Sequence, residues 1–426
     1  MTQLIDTFID QPGLEPGQTG WLEAARTQGV DRFNKLGIPT LKNEDWKYTN
    51  LRALANKQYL LQATSPEFDS SLAGESGEHH RLVFVQGVLD QAASTPGDLP
   101  DGVVLMSIKD ALSQGDDLQN VLRSTMPEQA NAFAELNNGL FRDGALLKLD
   151  AGCKLDVPVE LVFVSGGEQT LCMPRNLILL GEGASASVIE RQLSDDESTV
   201  LSNSATEIVL AENARLDYSL VQLQGKKSTH IGGTWAQQAA GSHLSTRTMT
   251  FGGALIRNEL SVSLNGEGAH ADCTGLFYGR QRQHMDNHTT VRHAAPECTS
   301  RELYKGILDD RARGVFHGRI VVEQDAQLTV ADQQNQNLLL SRDSEIDTKP
   351  QLEIYADDVK CAHGATVGEL DKKQLFYMQT RGIDMASART LLTYAFAAQV
   401  IEEIEIDSLR EELITLVAEQ MHLSDI

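Results

Sequence analysis

The amino-acid sequence predicts a mainly β protein, a parallel β-helix core with helical regions at both ends. Three observations carry this. Between about Gly144 and Glu369, short β-type runs alternate with small turn residues and no amphipathic helix intervenes. Inside that stretch the sequence repeats: Leu180-Gly-Glu-Gly-Ala-Ser-Ala-Ser-Val188 aligns with Leu210-Ala-Glu-Asn-Ala-Arg-Leu-Asp-Tyr218, 30 residues on. On either side, apolar residues fall at helical spacing instead.

Looser echoes stand at Gly241-Ser-His-Leu244, Gly268-Ala-His-Ala271 and Asp325-Ala-Gln-Leu328. The units thus start at 183, 213, 241, 268 and 325, in steps of 30, 28, 27 and 57, the last about two units long. Units of this length bury their faces only by stacking on one another. Ankyrin-like and leucine-rich arrays would need helices between the strands. An immunoglobulin-like sandwich is the alternative, but its strands need not recur in register. The expected division is a mostly helical region over 1–143, a β-helix core over 144–369 and a helical region over 370–426.

In the first region Trp21, Leu22, Ala25, Val30, Phe33 and Leu36 mark a helix that Gly37-Ile-Pro39 stops. Trp46 and Tyr48 read as anchors onto the protein's own core. Arg81–Gly87 is a short strand and turn. A further helix is expected from about Thr125, with Pro127 in its first turn and Ala130, Phe133, Ala134 and Leu136 as its apolar stripe. At the other end, Ala388, Leu391, Leu392, Ala395 and Phe396 share one helix face, with Asp384 as its cap. Ser408-Leu-Arg-Glu411 has the form of a capping box opening a last helix, so that the tail helices span about Asp384 to Leu423.

Composition narrows the function. With 36 Lys and Arg against 60 Asp and Glu, the chain carries a net charge of −24, which disfavours nucleic acid and anionic membrane surfaces. No apolar run is long enough to cross a bilayer, and Met1–Asp10 lacks the form of a secretory signal. The five cysteines, at 153, 172, 273, 298 and 361, form no CxxC motif and no disulfide framework. A reducing cytoplasm is the expected location.

The candidate site lies in Thr348–Gly368. Leu352, Ile354 and Ala356 alternate with polar residues, and Val359 and Cys361 resume the alternation after a one-residue slip. On a strand, residues two apart share a face, so Cys361 and His363 stand side by side as two potential metal ligands. The bland alternative is a buried small Cys and a hydrogen-bonded His. A second group, His284, His288, His293 and Cys298, reads as structural, because a strand breaks the helical spacing that would align its histidines. Asp309-Asp310 and Asp357-Asp358 are neighbours on opposite faces and make no acid–base pair. No P-loop, Gly-x-Gly-x-x-Gly, Gly-x-Ser-x-Gly or His-Glu-x-x-His motif occurs.

Several tracts carry a resemblance. They are Asn43-Glu-Asp-Trp-Lys-Tyr-Thr49, Ala295-Pro-Glu-Cys-Thr-Ser-Arg-Glu-Leu-Tyr-Lys305, Gly314-Val-Phe-His-Gly318, Asn337-Leu-Leu-Leu340, Asp347–Gly368 and Gln374–Ile383. Together they resemble the SufB/SufD family of the SUF iron–sulfur cluster assembly system, in its D-type form. The resemblance implies a right-handed parallel β-helix, pairing with a SufB-type subunit, and docking of a SufC-type ATPase on the C-terminal helices. It implies a non-enzymatic scaffold with a transient iron–sulfur cluster at the SufB–SufD interface. His363 matches the family position at that junction and Cys361 its neighbour. A homodimer is possible for the chain alone. The rival expectations are a β-helix polysaccharide hydrolase or lyase, and the SufB paralogue.

Overall fold

The repeat marks a corner. In the computed structural model, which describes residues 4–10, 20–61, 70–73, 79–115, 118–128 and 130–421, Gly152, Gly183, Asn213, Gly241, Gly268, Glu297 and Leu328 all adopt left-handed φ angles, from 58° to 75°. Each corner is tied to the next coil through its backbone. Gly183 N–H donates to Glu212 O at 2.8 Å, Gly241 to Glu267 O at 2.9 Å, Glu297 to Gln327 O at 2.9 Å and Leu328 to Asp358 O at 2.7 Å. At six of these seven corners the following residue, Ala184, Ala214, Ser242, Ala269, Cys298 or Thr329, is small and fully buried, and after Gly152 it is the half-buried Cys153.

Two details of the sequence reading change. The apparent double step after Gly268 contains a corner at Glu297, and the last unit is in register at Leu328 rather than Asp325. A search for Gly or Asn finds only the corners that hold them. The inter-coil hydrogen bond and the exposed side-chain direction let Glu and Leu accept a φ that costs a non-glycine residue about 1–2 kcal/mol.

Between corners the strands alternate between two parallel sheets, so the architecture is a β-solenoid. The first sheet holds Leu255–Leu264, His284–His293, Arg313–Val322 and Glu345–Ile354 in successive pairs; the second holds His243–Thr250, His270–Gly279, Thr299–Leu308, Val330–Leu339 and Lys360–Gly368. Strands N-terminal to Gly144 join the same sheets. His80–Val85 pairs in parallel with Val159–Val164, Tyr59–Leu61 with Glu168–Cys172, and Val103–Ser107 lies antiparallel on Ala145–Leu149. The main core fills the interior, with Leu147, Leu161, Val188, Ile208, Leu244 and Val262 fully buried.

The helices before the solenoid are α1 (Leu4–Phe8), α2 (Gly20–Leu36), α3 (Arg52–Ala55), α4 (Ile108–Gln114) and α5 (Ala132–Leu140). Helix α5 starts later than the sequence suggested. Thr125 N–H and Oγ1 donate to Glu207 at 3.1 and 2.6 Å, which pins that segment to the first sheet ahead of Pro127. Asn131 is the cap instead, accepting from the Phe133 and Ala134 amides at 2.9 Å.

The Asn43–Thr49 tract lies across the outer face of the first sheet. Trp46 is buried beneath the Arg257 guanidinium, whose carbon lies 3.8 Å from the ring centroid. Glu44 pairs with Lys349 at 2.8 Å. Thr49 binds Asp286 and approaches His284 Nε2 at 2.9 Å. Arg257 meets Asp286 at 2.5 Å, and His288 lies 3.0 Å from the same carboxylate. Burial opposes ionisation of Asp286, but Arg257 and His288 hold its carboxyl well below the usual range. Burial, then Arg257, pushes His288 down to about 4. His293 is buried against Ser300 Oγ at 2.8 Å and is pushed down by burial to about 4. Cys298 closes a corner with its thiol 3.2 Å from Gly266 O. These side chains of the second histidine group hold the fold.

After the solenoid come α6 (Lys372–Thr380), α7 (Met385–Ile401) and α8 (Asp407–Gln420); residues 422–426, with the predicted end of the tail at Leu423, lie outside the described residues. Asp384 caps α7 as expected, accepting from Ala386 and Ser387 at 2.9 and 3.1 Å. The capping box at Ser408 does not form: α8 starts at Asp407, and Ser408 Oγ lies 3.2 Å from His79 Nε2. Helices α7 and α8 cover the outer face of the second sheet, where Val221, Met249, Leu276 and Ile307 pack on Val400, Ile401, Leu413 and Val417. Two bidentate pairs fasten them, Arg191 to Glu412 at 2.6 Å and Arg301 to Glu403 at 2.6 and 2.9 Å.

Two outcomes follow. Ala214→Leu forces a branched side chain into a fully buried corner, and chemical unfolding should show a loss of about 1–3 kcal/mol. The depressed values of His288 and His293 mean that the folded state resists protons the unfolded state takes up near pH 6.5. Stability is therefore full above about pH 6.5 and falls as pH drops toward 4. Thermal unfolding across that range should show this fall, and His293→Asn should make it shallower.

Candidate functional site

The terminal coil explains the one-residue slip. It is the corner at residues 355–359, which carries the chain from Glu345–Ile354 in the first sheet to Lys360–Gly368 in the second. These are the last strands of their sheets, with no further coil beyond them. Cys361 and His363 do share a strand face, and the register shows which. His363 continues a column formed by Tyr218, Thr246, Cys273, Glu302 and Gln333, and Cys361 continues one through Leu244, Ala271, Ser300 and Ala331. All of those preceding residues are buried. The pair therefore faces the lumen, and His363 is exposed only because the solenoid stops there.

The two donors differ in setting. Cys361 is half-buried against Ile320, Val322, Ala326 and Ala331, and that burial pushes its thiol up. A thiol in such a setting gives up its proton most readily where a metal ion displaces it. His363 stands in the open. Among the described residues no group of three or more His, Cys, Asp or Glu side chains is placed to hold a metal ion. The pair is an incomplete ligand set on its own.

Beneath the pair, the lumen is polar. Gln333 donates through Nε2 to the buried carboxylate of Glu302, and burial raises Glu302 to about 7. Asn335 accepts from Thr348 Oγ1 at 2.8 Å and from Asn337 at 2.6 Å, joining the two sheets across the floor. Sequence reasoning missed Glu302 and Gln333, because a polar residue at every second position of a strand usually marks the solvent face.

The remaining aspartate pairs lie at corners of the solenoid. Asp310 sits at a left-handed corner and accepts from the Gln281 amide at 3.0 Å. The Asp358 backbone holds Leu328 N–H and Gln327 Oε1, at 2.7 and 2.9 Å. Large apolar side chains are exposed on the last coil and on α6, among them Tyr355, Val367, Phe376 and Tyr377. No helix among the described residues is long and apolar enough to cross a membrane.

Comparison with known proteins places this chain in a family. A model described as the SUF system FeS cluster assembly SufBD core domain matches residues 163–396, and one for the SufBD protein N-terminal region matches 2–161. The chain is 33% identical over 400 residues to the iron–sulfur cluster assembly protein SufD of Escherichia coli K12, covering 92% of each. It is 31% identical to an iron–sulfur cluster assembly SufBD family protein of Synechocystis, over 91% of this chain and 88% of that one. Against the chloroplastic protein ABCI7 of Arabidopsis thaliana it is 28% identical, over 96% and 88%. The chain belongs to the SufB/SufD family of the SUF iron–sulfur cluster assembly system.

Proposed function

We propose that this chain is a non-enzymatic, D-type scaffold subunit whose terminal coil supplies half of a cluster-assembly site. The observation that carries this is the placement of His363 and Cys361 on the lumen face of a strand that no further coil covers. An iron–sulfur cluster ordinarily takes four protein ligands, mostly thiolates. Two donors at an open end suit a site that a SufB-type partner completes, with the nascent cluster as transient cargo. The edges support the same reading. Glu345–Ile354 and Lys360–Gly368 present unpaired backbone groups, a surface that pairs readily with another strand. A second copy of the chain would meet the same edge when the partner is absent, giving a homodimer.

Helix α6 is the favoured seat for a SufC-type ATPase. Phe376 and Tyr377 project from it with 68% and 58% of their surface exposed, whereas α7 and α8 turn their apolar residues onto the second sheet. Removing everything after Gly382 would also uncover buried Val221, Met249 and Ile307. Point substitutions on α6 are therefore the sharper probe. The negative net charge suits a partner-binding scaffold of the cytoplasm and not a nucleic-acid or membrane surface.

Two outcomes test this reading. His363→Ala should abolish cluster formation on the assembled complex, measured as iron and acid-labile sulfide. Its thermal unfolding should match the wild type, because His363 is exposed. Full cluster content in the variant would overturn the ligand role. Phe376→Asp with Tyr377→Ser should weaken ATPase capture by about 10-fold or more, the usual scale for aromatic anchors. Unchanged capture by the folded variant would place the ATPase elsewhere.

A further inference from the structure

The lumen floor contains an amide that the free chain leaves half used. Gln333 is fully buried, and the fold keeps space for it: a Cβ on Gly318 of the facing sheet would lie 2.5 Å from Gln333 Nε2. That nitrogen donates to Glu302, whose neighbour Thr289 closes the facing wall. With Nε2 held against a Glu302 oxygen, Oε1 is the function of the amide left for another donor. Oε1 is buried and has no hydrogen-bond partner among the described residues. The next residue in the same column is His363, on the adjacent strand. Buried amide oxygens without partners are rare, because water has been removed and nothing replaces it.

We propose that Gln333, oriented by Glu302, is the positioning residue of His363. When a partner closes the lumen, one ring N–H of His363 donates to Gln333 Oε1 and the other nitrogen is presented to iron. Metal-bound histidines ordinarily donate their second nitrogen to such an acceptor, which fixes the tautomer and the ring plane. The proposal rests on His363 being a ligand, as argued above. It also gives the motif Gly314-Val-Phe-His-Gly318 a role, since its last glycine makes room for the amide. A space-filling role for Gln333 would not need a carboxylate to set its direction.

The test uses the full chain assembled with its partner subunits and supplied with ferrous iron and inorganic sulfide. Gln333→Met strands the Glu302 carboxyl, so Glu302→Met/Gln333→Met is made beside it; replacing both partners of a buried hydrogen bond is close to neutral for folding. Cluster formation should slow by about 10- to 100-fold in the double variant, the usual effect of losing a ligand's supporting partner. The nitrogen hyperfine coupling of the reduced cluster, read by pulsed electron paramagnetic resonance, should change with it. A wild-type rate and coupling in the double variant would overturn the proposal, and so would a rate loss that only follows the loss of folded protein. His363→Ala run in parallel separates the two ideas. If it keeps the nitrogen coupling, the ligand reading itself fails; if it loses the coupling while the double variant keeps it, only the role of Gln333 fails.

Discussion

The hydrogen bond that ties each left-handed corner to the coil beyond it is the constraint on which the rest depends. Every coil hands its corner N–H to the next, from Gly152 and Glu182 through to Leu328 and Asp358. A ladder of this kind has no internal reason to stop, and each coil is stable only while something covers it. At the N-terminal end the chain supplies that cover, with Val103–Ser107 turning antiparallel and the apolar faces of α4 and α5 packed close by. At the C-terminal end the described residues supply none. The last coil keeps its lumen face, its backbone edges and the side chains of Cys361 and His363 together at its open end.

The same rule explains what the sequence made legible. A corner needs a small buried residue after a left-handed one, and Gly183-Ala184, Asn213-Ala214 and Gly268-Ala269 carry that signature openly. Glu297-Cys298 and Leu328-Thr329 obey the same geometry with residues that no turn rule favours, so the repeat read from sequence skipped one and slipped on the other. Helix starts failed for a related reason. Thr125 and Ser408 have capping chemistry, but Glu207 and His79 claim their hydroxyls, and tertiary contacts outweigh a local preference worth about 1 kcal/mol. Pairing of Cys361 with His363 was legible because a strand's period is two. The depth of the polar column below them was not, because alternation does not say which face looks inward once both faces are covered.

That second point separates the outer and inner faces of the second sheet. Outside, Arg191, Arg301 and the apolar row from Ile189 to Ile307 are spent on α7 and α8, which belong to the solenoid as firmly as its own strands. Helix α6 departs from this pattern, since of its residues only Leu375 is buried. The tail thus divides into a part that completes the fold and a part that stays exposed.

Placing the donors at an open end also has an energetic logic. Two ligands hold a metal ion weakly, so a half-site of the kind proposed would leave the free chain a poor trap for stray iron, and the affinity for a cluster would arise only where a second chain adds its own ligands. A complete site inside one solenoid would bind earlier and release later. Half-burial pushes the Cys361 thiol up, so in such a half-site its thiolate would form only as a metal ion displaces the proton. A scaffold that must give its product away is better served by a site that opens when the subunits part than by one that holds on.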